Sequence, residues 1–184
     1  MPPDSAVAAP AAGPMQQPIK GSSIIAAIKQ SGIEFVVSVP DIVTADGLLR
    51  PLATDPDLRL VRVCKEDEGV GICAGLSFCN RRGLLLIQHT GLLDSVNALR
   101  AVAMEYSLPI CLMVGLLEKE AGVPPRESKR YGVRIVEPIL DDMGITHDLL
   151  ETEADVSRIQ PALDRAFQNS SPVVLLIGRR PLAS

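Results

Sequence analysis

The run Glu66-Asp67-Glu68-Gly69-Val70-Gly71-Ile72-Cys73-Ala74-Gly75 puts acids where an apolar strand, Leu58 to Cys64, meets a helix rich in small residues. In α/β proteins that junction lies at the carboxyl edge of a parallel sheet, where ligands bind. A carboxyl group there can hold or give a proton, and partial desolvation suits it to the task by raising its pKa. Glu66 is the catalytic candidate, whereas Asp67 and Glu68 suit the positive end of the helix dipole. His89 closes a second apolar strand and could steer a carboxylate or carry a proton near neutral pH. Thr90 and Gly91 follow it directly. Gly71 and Gly75, four apart on one helical face, each cost about 1 kcal/mol of helix propensity relative to Ala. Either another group approaches them closely, or they pack against the chain's own sheet. Arg126, Lys129, Arg130 and Arg134 cluster in one polar stretch. They could receive an anionic substrate tail, or they are an ordinary solvated loop.

Elements able to position these residues alternate along the chain. Ser22 or Ser23 can cap a helix to about Gln30, and Phe35 to Val39 is a β-branched strand stopped by Pro40. A helix over Thr44 to Leu52, the strand at Leu58 and the helix from Glu66 to Cys79 follow. Leu84 to Gln88 is a continuous apolar run, as expected of a strand buried on both faces. Asp94 or Ser95 starts a helix to about Tyr106, and Ile110 to Val114 is another buried strand. Gly115 to Arg134 has no periodicity. Helix over Ile135 to Met143, strand over Ile145 to Leu150, amphipathic helix over Ala154 to Gln168 and strand over Val173 to Ile177 complete the pattern. This predicts an α/β domain of three layers, α/β/α, with a mostly parallel sheet of about six strands over residues 20–184. Residues 1–19, rich in Ala and Pro without a basic or continuous apolar stretch, read as a disordered tail.

Composition narrows the function. The 184 residues carry a net charge of −4, so no basic field draws nucleic acid, and anionic membrane surfaces are disfavoured too. Aromatic residues are 3% with no Trp, which leaves no platform for stacking bases. No apolar run is long enough to span a bilayer. Cys64, Cys73, Cys79 and Cys111 form no Cys-x-x-Cys pair, and neither His89 nor His147 is spaced as a metal ligand with them. Reduced, mostly buried thiols in a cytoplasmic protein are the expectation.

Three segments together resemble the pyrimidine-binding domain of thiamine-diphosphate enzymes: Glu66 with the Ala74-Gly75 pair nine residues on, Val36-Val37-Ser38-Val39-Pro40-Asp41, and Ile87-Gln88-His89-Thr90-Gly91 with Asn97 beyond. Within that family the chain is most similar to the sulfopyruvate and phosphonopyruvate decarboxylases, over roughly Lys20 to Arg180. It departs from the family at Ser38 and Asp41, where glycines are frequent, and at His89, where Asn is expected. The resemblance implies a catalytic Glu66 that touches the cofactor's aminopyrimidine, with His89 as second catalytic candidate. It implies cofactor contacts at Glu66, Pro40, Gly91 and Gly71, and substrate contacts at Ser38, Asp41, Gln88, His89 and Thr90. The family holds the cofactor's diphosphate through Mg²⁺ on a Gly-Asp-Gly motif with a distant Asn; Ala45-Asp46-Gly47 and Asp142-Met143-Gly144 do not supply it. The resemblance therefore implies thiamine diphosphate shared with a β subunit that carries the Mg²⁺ ligands, in a hetero-oligomer. The expected reaction is decarboxylation of a 2-oxo acid to an aldehyde. A carboligase of the acetolactate type, or a non-catalytic subunit that keeps the fold, are the alternatives.

Overall fold

The computed structural model describes residues 17–183. In chain order the elements are α1 (Gly21–Gln30), β1 (Phe35–Ser38), a π-helical turn Ala45–Leu49 running into α2 (Arg50–Leu52), β2 (Arg59–Arg62), α3 (Glu66–Phe78) and β3 (Gly83–Gln88). Then come α4 (His89–Asp94), α5 (Val96–Ala98) continued by a second π-helical turn Leu99–Met104, β4 (Cys111–Gly115), α6 (Tyr131–Arg134) and α7 (Val136–Asp142). The chain ends with β5 (Thr146–Leu150), a 3-10 turn Glu153–Arg158, α8 (Ile159–Asn169) and β6 (Val173–Ile177).

The strands form one sheet in the order β2-β1-β3-β4-β6-β5, and every neighbouring pair is parallel. Alternate residues of each central strand feed opposite cores. Val36, Leu84, Leu86, Met113 and Leu175 pack with α1, α2 and α8. Val37, Leu85, Ile87, Leu112 and Leu176 pack with residues of α3, α7 and the Leu99–Met104 turn. The chain runs outward from β1 to β2 and returns to β3, which lies on the other side of β1. The strand order thus reverses between β1 and β3, and in parallel sheets ligands lodge at the carboxyl ends of such a pair.

Four expectations need correction. Ser22 and Ser23 do not cap α1, which starts at Gly21 with Lys20 as its flanking residue; the Ser23 hydroxyl instead donates to Glu153. The helix after β3 starts at His89 rather than Asp94, because Gln88 is still extended (φ −90°, ψ 160°) and the chain turns helical at once. Ser95 interrupts that helix, so Asp94 ends a segment instead of opening one. The aperiodic stretch holds a 3-10 turn, Pro125–Glu127, and α6. Most of the Ala/Pro-rich tail lies outside the described residues, but its last three do not behave as tail: Ile19 is fully buried, its carbonyl accepts the Leu182 N–H at 2.9 Å, and Pro18 bridges Thr152.

Candidate functional site

Glu66 is the first residue of α3, directly after the β2 loop, and α3 lies across β1 and β3. Gly69 makes that crossing close: a Cβ there would overlap the Leu85 side chain. The three acids of the first turn then divide. The Glu68 carboxylate accepts the N–H groups of Cys64 (3.1 Å) and Lys65 (3.3 Å), closing the helix start. Asp67 accepts the Glu68 N–H at 2.9 Å and lies 3.9 Å from the Lys65 amine. Glu66, half-buried, forms no hydrogen bond or ion pair with any described residue. Its carboxyl rests on the backbone of Gly91, where a Cβ would overlap its Cγ, Cδ and Oε1. The Glu66 carboxyl can take this position only because residue 91 has no side chain.

Gly91 and His89 share the first turn of α4. The His89 ring is buried, at 6% exposure; its Nδ1 accepts the Leu117 N–H at 3.2 Å, and a Cβ on Gly132 would stand 3.0 Å from its Nε2. Burial pushes its pKa below the ordinary histidine value, opposed by the Gly115 carbonyl and by the Asp41 carboxylate. Gln88 is half-buried and accepts the Thr90 hydroxyl at 2.9 Å; Thr90 itself is exposed.

On the β1 side of the reversal, Ser38 is buried and donates to the Leu86 carbonyl at 2.7 Å, tying β1 to β3. Asp41 is buried, and its carboxylate accepts the N–H groups of Val43 (2.6 Å) and Thr44 (3.2 Å) and the Thr44 hydroxyl. Its hydrogen bonds shape the loop that sequence reasoning gave to substrate. Pro40 is exposed, as is Ile42 at 58%, an apolar side chain in water at the carboxyl edge. The structure therefore brings Glu66 and Gly91 into contact. It sets His89 with the segment after β4, and keeps Ser38 and Asp41 engaged within the protein.

The outer face of α3 is unusual. Gly71 and Gly75 are exposed, with open space where a Cβ would stand, and Phe78, three residues on, is 73% exposed. The packing role weighed for Gly71 and Gly75 falls to Gly69 instead. No charged residue occurs from Gly69 to Cys79, so α3 is apolar on both its buried and its outward sides.

Three of the four cations of the long stretch are engaged within the protein. Arg126 pairs with Asp141 and with Glu137 (3.3 Å), Arg130 pairs with Glu118 (2.6 Å), and Arg134 donates to the Ser128 carbonyl (3.2 Å). Sequence reasoning missed Lys119, whose side chain is wholly buried and ion-paired to Glu151 at 2.6 Å; a lysine in a polar loop gives no sign of a carboxylate beyond the next strand. Among the described residues no group of three or more His, Cys, Asp or Glu side chains could hold a metal ion. No helix of the described residues is long and apolar enough to cross a membrane.

Fold and site together define an α/β domain with a carboxyl, unpartnered among the described residues, at the carboxyl edge of a parallel sheet. The same fold occurs in the 2-oxoglutarate:ferredoxin oxidoreductase of Magnetococcus marinus, at a TM-score of 0.61 and 17% identity, over 88% of this chain and 29% of that one. No family model matches the chain. Among curated proteins it is similar to sulfopyruvate decarboxylase subunit alpha, as the sequence motifs had indicated. It is 35% identical to that of Methanococcus maripaludis over 92 residues, half of this chain and 54% of the relative. It is 28% identical to that of Methanocaldococcus jannaschii over 165 residues, 86% of this chain and 93% of the relative.

Proposed function

We propose that this chain is the pyrimidine-binding α subunit of a two-chain, thiamine-diphosphate-dependent decarboxylase acting on a 2-oxo acid of the sulfopyruvate or phosphonopyruvate kind. The carrying observation is the Glu66 carboxyl: half-buried, unpartnered among the described residues, and seated on Gly91 at the strand-order reversal. That cradle fits an aminopyrimidine, whose ring nitrogen needs one hydrogen bond from a carboxylic acid. Bound thiamine diphosphate supplies the electron sink that loss of carbon dioxide requires.

This chain's residues supply orientation and proton control. Glu66 presents one carboxyl oxygen to the ring nitrogen, and closure of the site by a partner excludes water from that contact. Gly91 keeps the carboxyl in place by leaving it room. By the resemblance, Gly71 in α3 and Pro40 after β1 are the further cofactor contacts, and both are exposed. Gln88 and Thr90 are the polar groups at the β3 end available to a substrate. Mg²⁺ and the diphosphate fall to a β subunit, since the motif that would hold them is missing from this sequence.

The outer face of α3, with Gly71, Gly75 and Phe78, is the proposed β-subunit contact. A helix apolar all round is ordinarily buried all round, and apolar surface left open is characteristic of interfaces. The test is Glu66→Gln in the complex with the partner chain. Gln keeps the shape but cannot hold the carboxyl proton, so carbon dioxide release should fall by on the order of 100-fold or more while assembly is unchanged. Wild-type turnover in that variant would refute the mechanism. Product analysis with and without an added aldehyde separates decarboxylation from carboligation.

A further inference from the structure

We propose that His89 is a positioning residue that fastens the segment from residue 116 to residue 134 onto the sheet's carboxyl edge through a neutral imidazole, and that protonating the ring unfastens it. The observation is independent of any cofactor. The Leu117 N–H points at Nδ1 at 3.2 Å, so the ring accepts at Nδ1 and carries its proton on Nε2. Gly132, at the far end of the same segment, lies over Nε2 with no side chain between. One ring thus touches both ends of a stretch of chain that contains no strand.

Protonation puts a hydrogen on Nδ1 facing the Leu117 N–H, and two donors cannot bond. The charged groups nearby leave the ring to decide. Asp41 on the β1 loop favours the cation, but its carboxylate is held by Val43 and Thr44. The Gly115 carbonyl on β4 also favours it, and burial opposes it more strongly than either. On the fastened segment, Glu118 pairs with Arg130, Glu120 takes hydrogen bonds from Ser128 and Lys129, and Lys119 pairs with Glu151. Because the folded ring's pKa is lowered, the fastening is complete above the ordinary histidine value of about 6.5. It is lost as pH falls through the lower, folded value.

The same α4 turn carries Gly91 beneath Glu66, so the fastened segment is anchored one turn from the candidate catalytic carboxyl. Its residues then wall the carboxyl edge beside β3 and β4. Asn fits this role as well as His, since its side-chain oxygen can take the place of Nδ1 as acceptor at any pH.

Amide exchange on the full chain tests this, each rate referred to the intrinsic rate at its pH, with the β4 amide of Met113 as the control for global opening. In the native chain, Leu117 protection should fall roughly tenfold between pH 7.5 and pH 4.5 while Met113 stays protected. His89→Asn should keep Leu117 protected and remove the pH dependence. His89→Ala, where it folds, should lower Leu117 protection roughly tenfold at pH 7.5. Long-range proton–nitrogen spectra at pH 7.5 should place the His89 proton on Nε2. A proton on Nδ1, a Leu117 amide indifferent to pH in the native chain, or a loss in His89→Asn equal to that in His89→Ala would overturn the proposal.

Discussion

Glu66 and Gly91 are in contact though 25 positions apart in sequence. The glycine has no chemistry of its own, yet any side chain there displaces the carboxyl. Gly91→Ala should therefore imitate Glu66→Gln in the assembled enzyme, lowering carbon dioxide release by on the order of 100-fold. Because the Glu66 side chain is only half-buried and can swing outward, the melting temperature of the isolated chain should change by no more than a few degrees, the equivalent of about 1 kcal/mol. Unchanged turnover in Gly91→Ala would show that the contact does not position the acid. The sequence singled out Glu66 as a candidate because an acid before a Gly-rich helix is a local pattern. The contact with Gly91 is long-range, and no local pattern specifies it. The local engagement of Asp41 was equally hidden. The resemblance gives this residue to the substrate, and its oxygens also hold the backbone of its own turn.

At the scale of elements, α3 carries two kinds of glycine with opposite requirements. Gly69 faces the sheet at Leu85, and Ala there overpacks the core; it should destabilise the chain by about 1–3 kcal/mol. Gly71 and Gly75 face open space, and Ala at each should stabilise the isolated helix by up to about 1 kcal/mol. In the complex the sign should invert, because an added methyl holds a partner surface away. Thermal melts of the isolated chain and co-purification yields with the partner measure the two effects. A double Gly71→Ala, Gly75→Ala chain that pairs as well as the native one would remove α3 from the interface. The central strands were legible because burial on both faces makes Leu84 to Ile87, Cys111 to Val114 and Val173 to Ile177 continuous apolar runs. The start of α4 was not, since Gln88 is no capping residue and Gly91 weakens helix propensity. The short α6 fell below the length at which periodicity can be read.

Over the whole molecule, alternation of strand and helix indicated the parallel sheet, but not the strand order, which depends on pairings between distant segments. That order places the reversal between β1 and β3, with Glu66 reaching it from the β2 side. The chain offers an acid, a cradle and an uncharged outward helix face, without a cluster of metal ligands among the described residues. On the proposed function, the cofactor site is completed only by a second chain. Calorimetric titration of thiamine diphosphate with Mg²⁺, into this chain alone and into the co-purified complex, tests it most directly. Tight, Mg²⁺-dependent binding to the complex is expected, with binding at least about 100-fold weaker to the single chain, a difference of about 2.7 kcal/mol. Tight, Mg²⁺-dependent binding to the chain alone would contradict it.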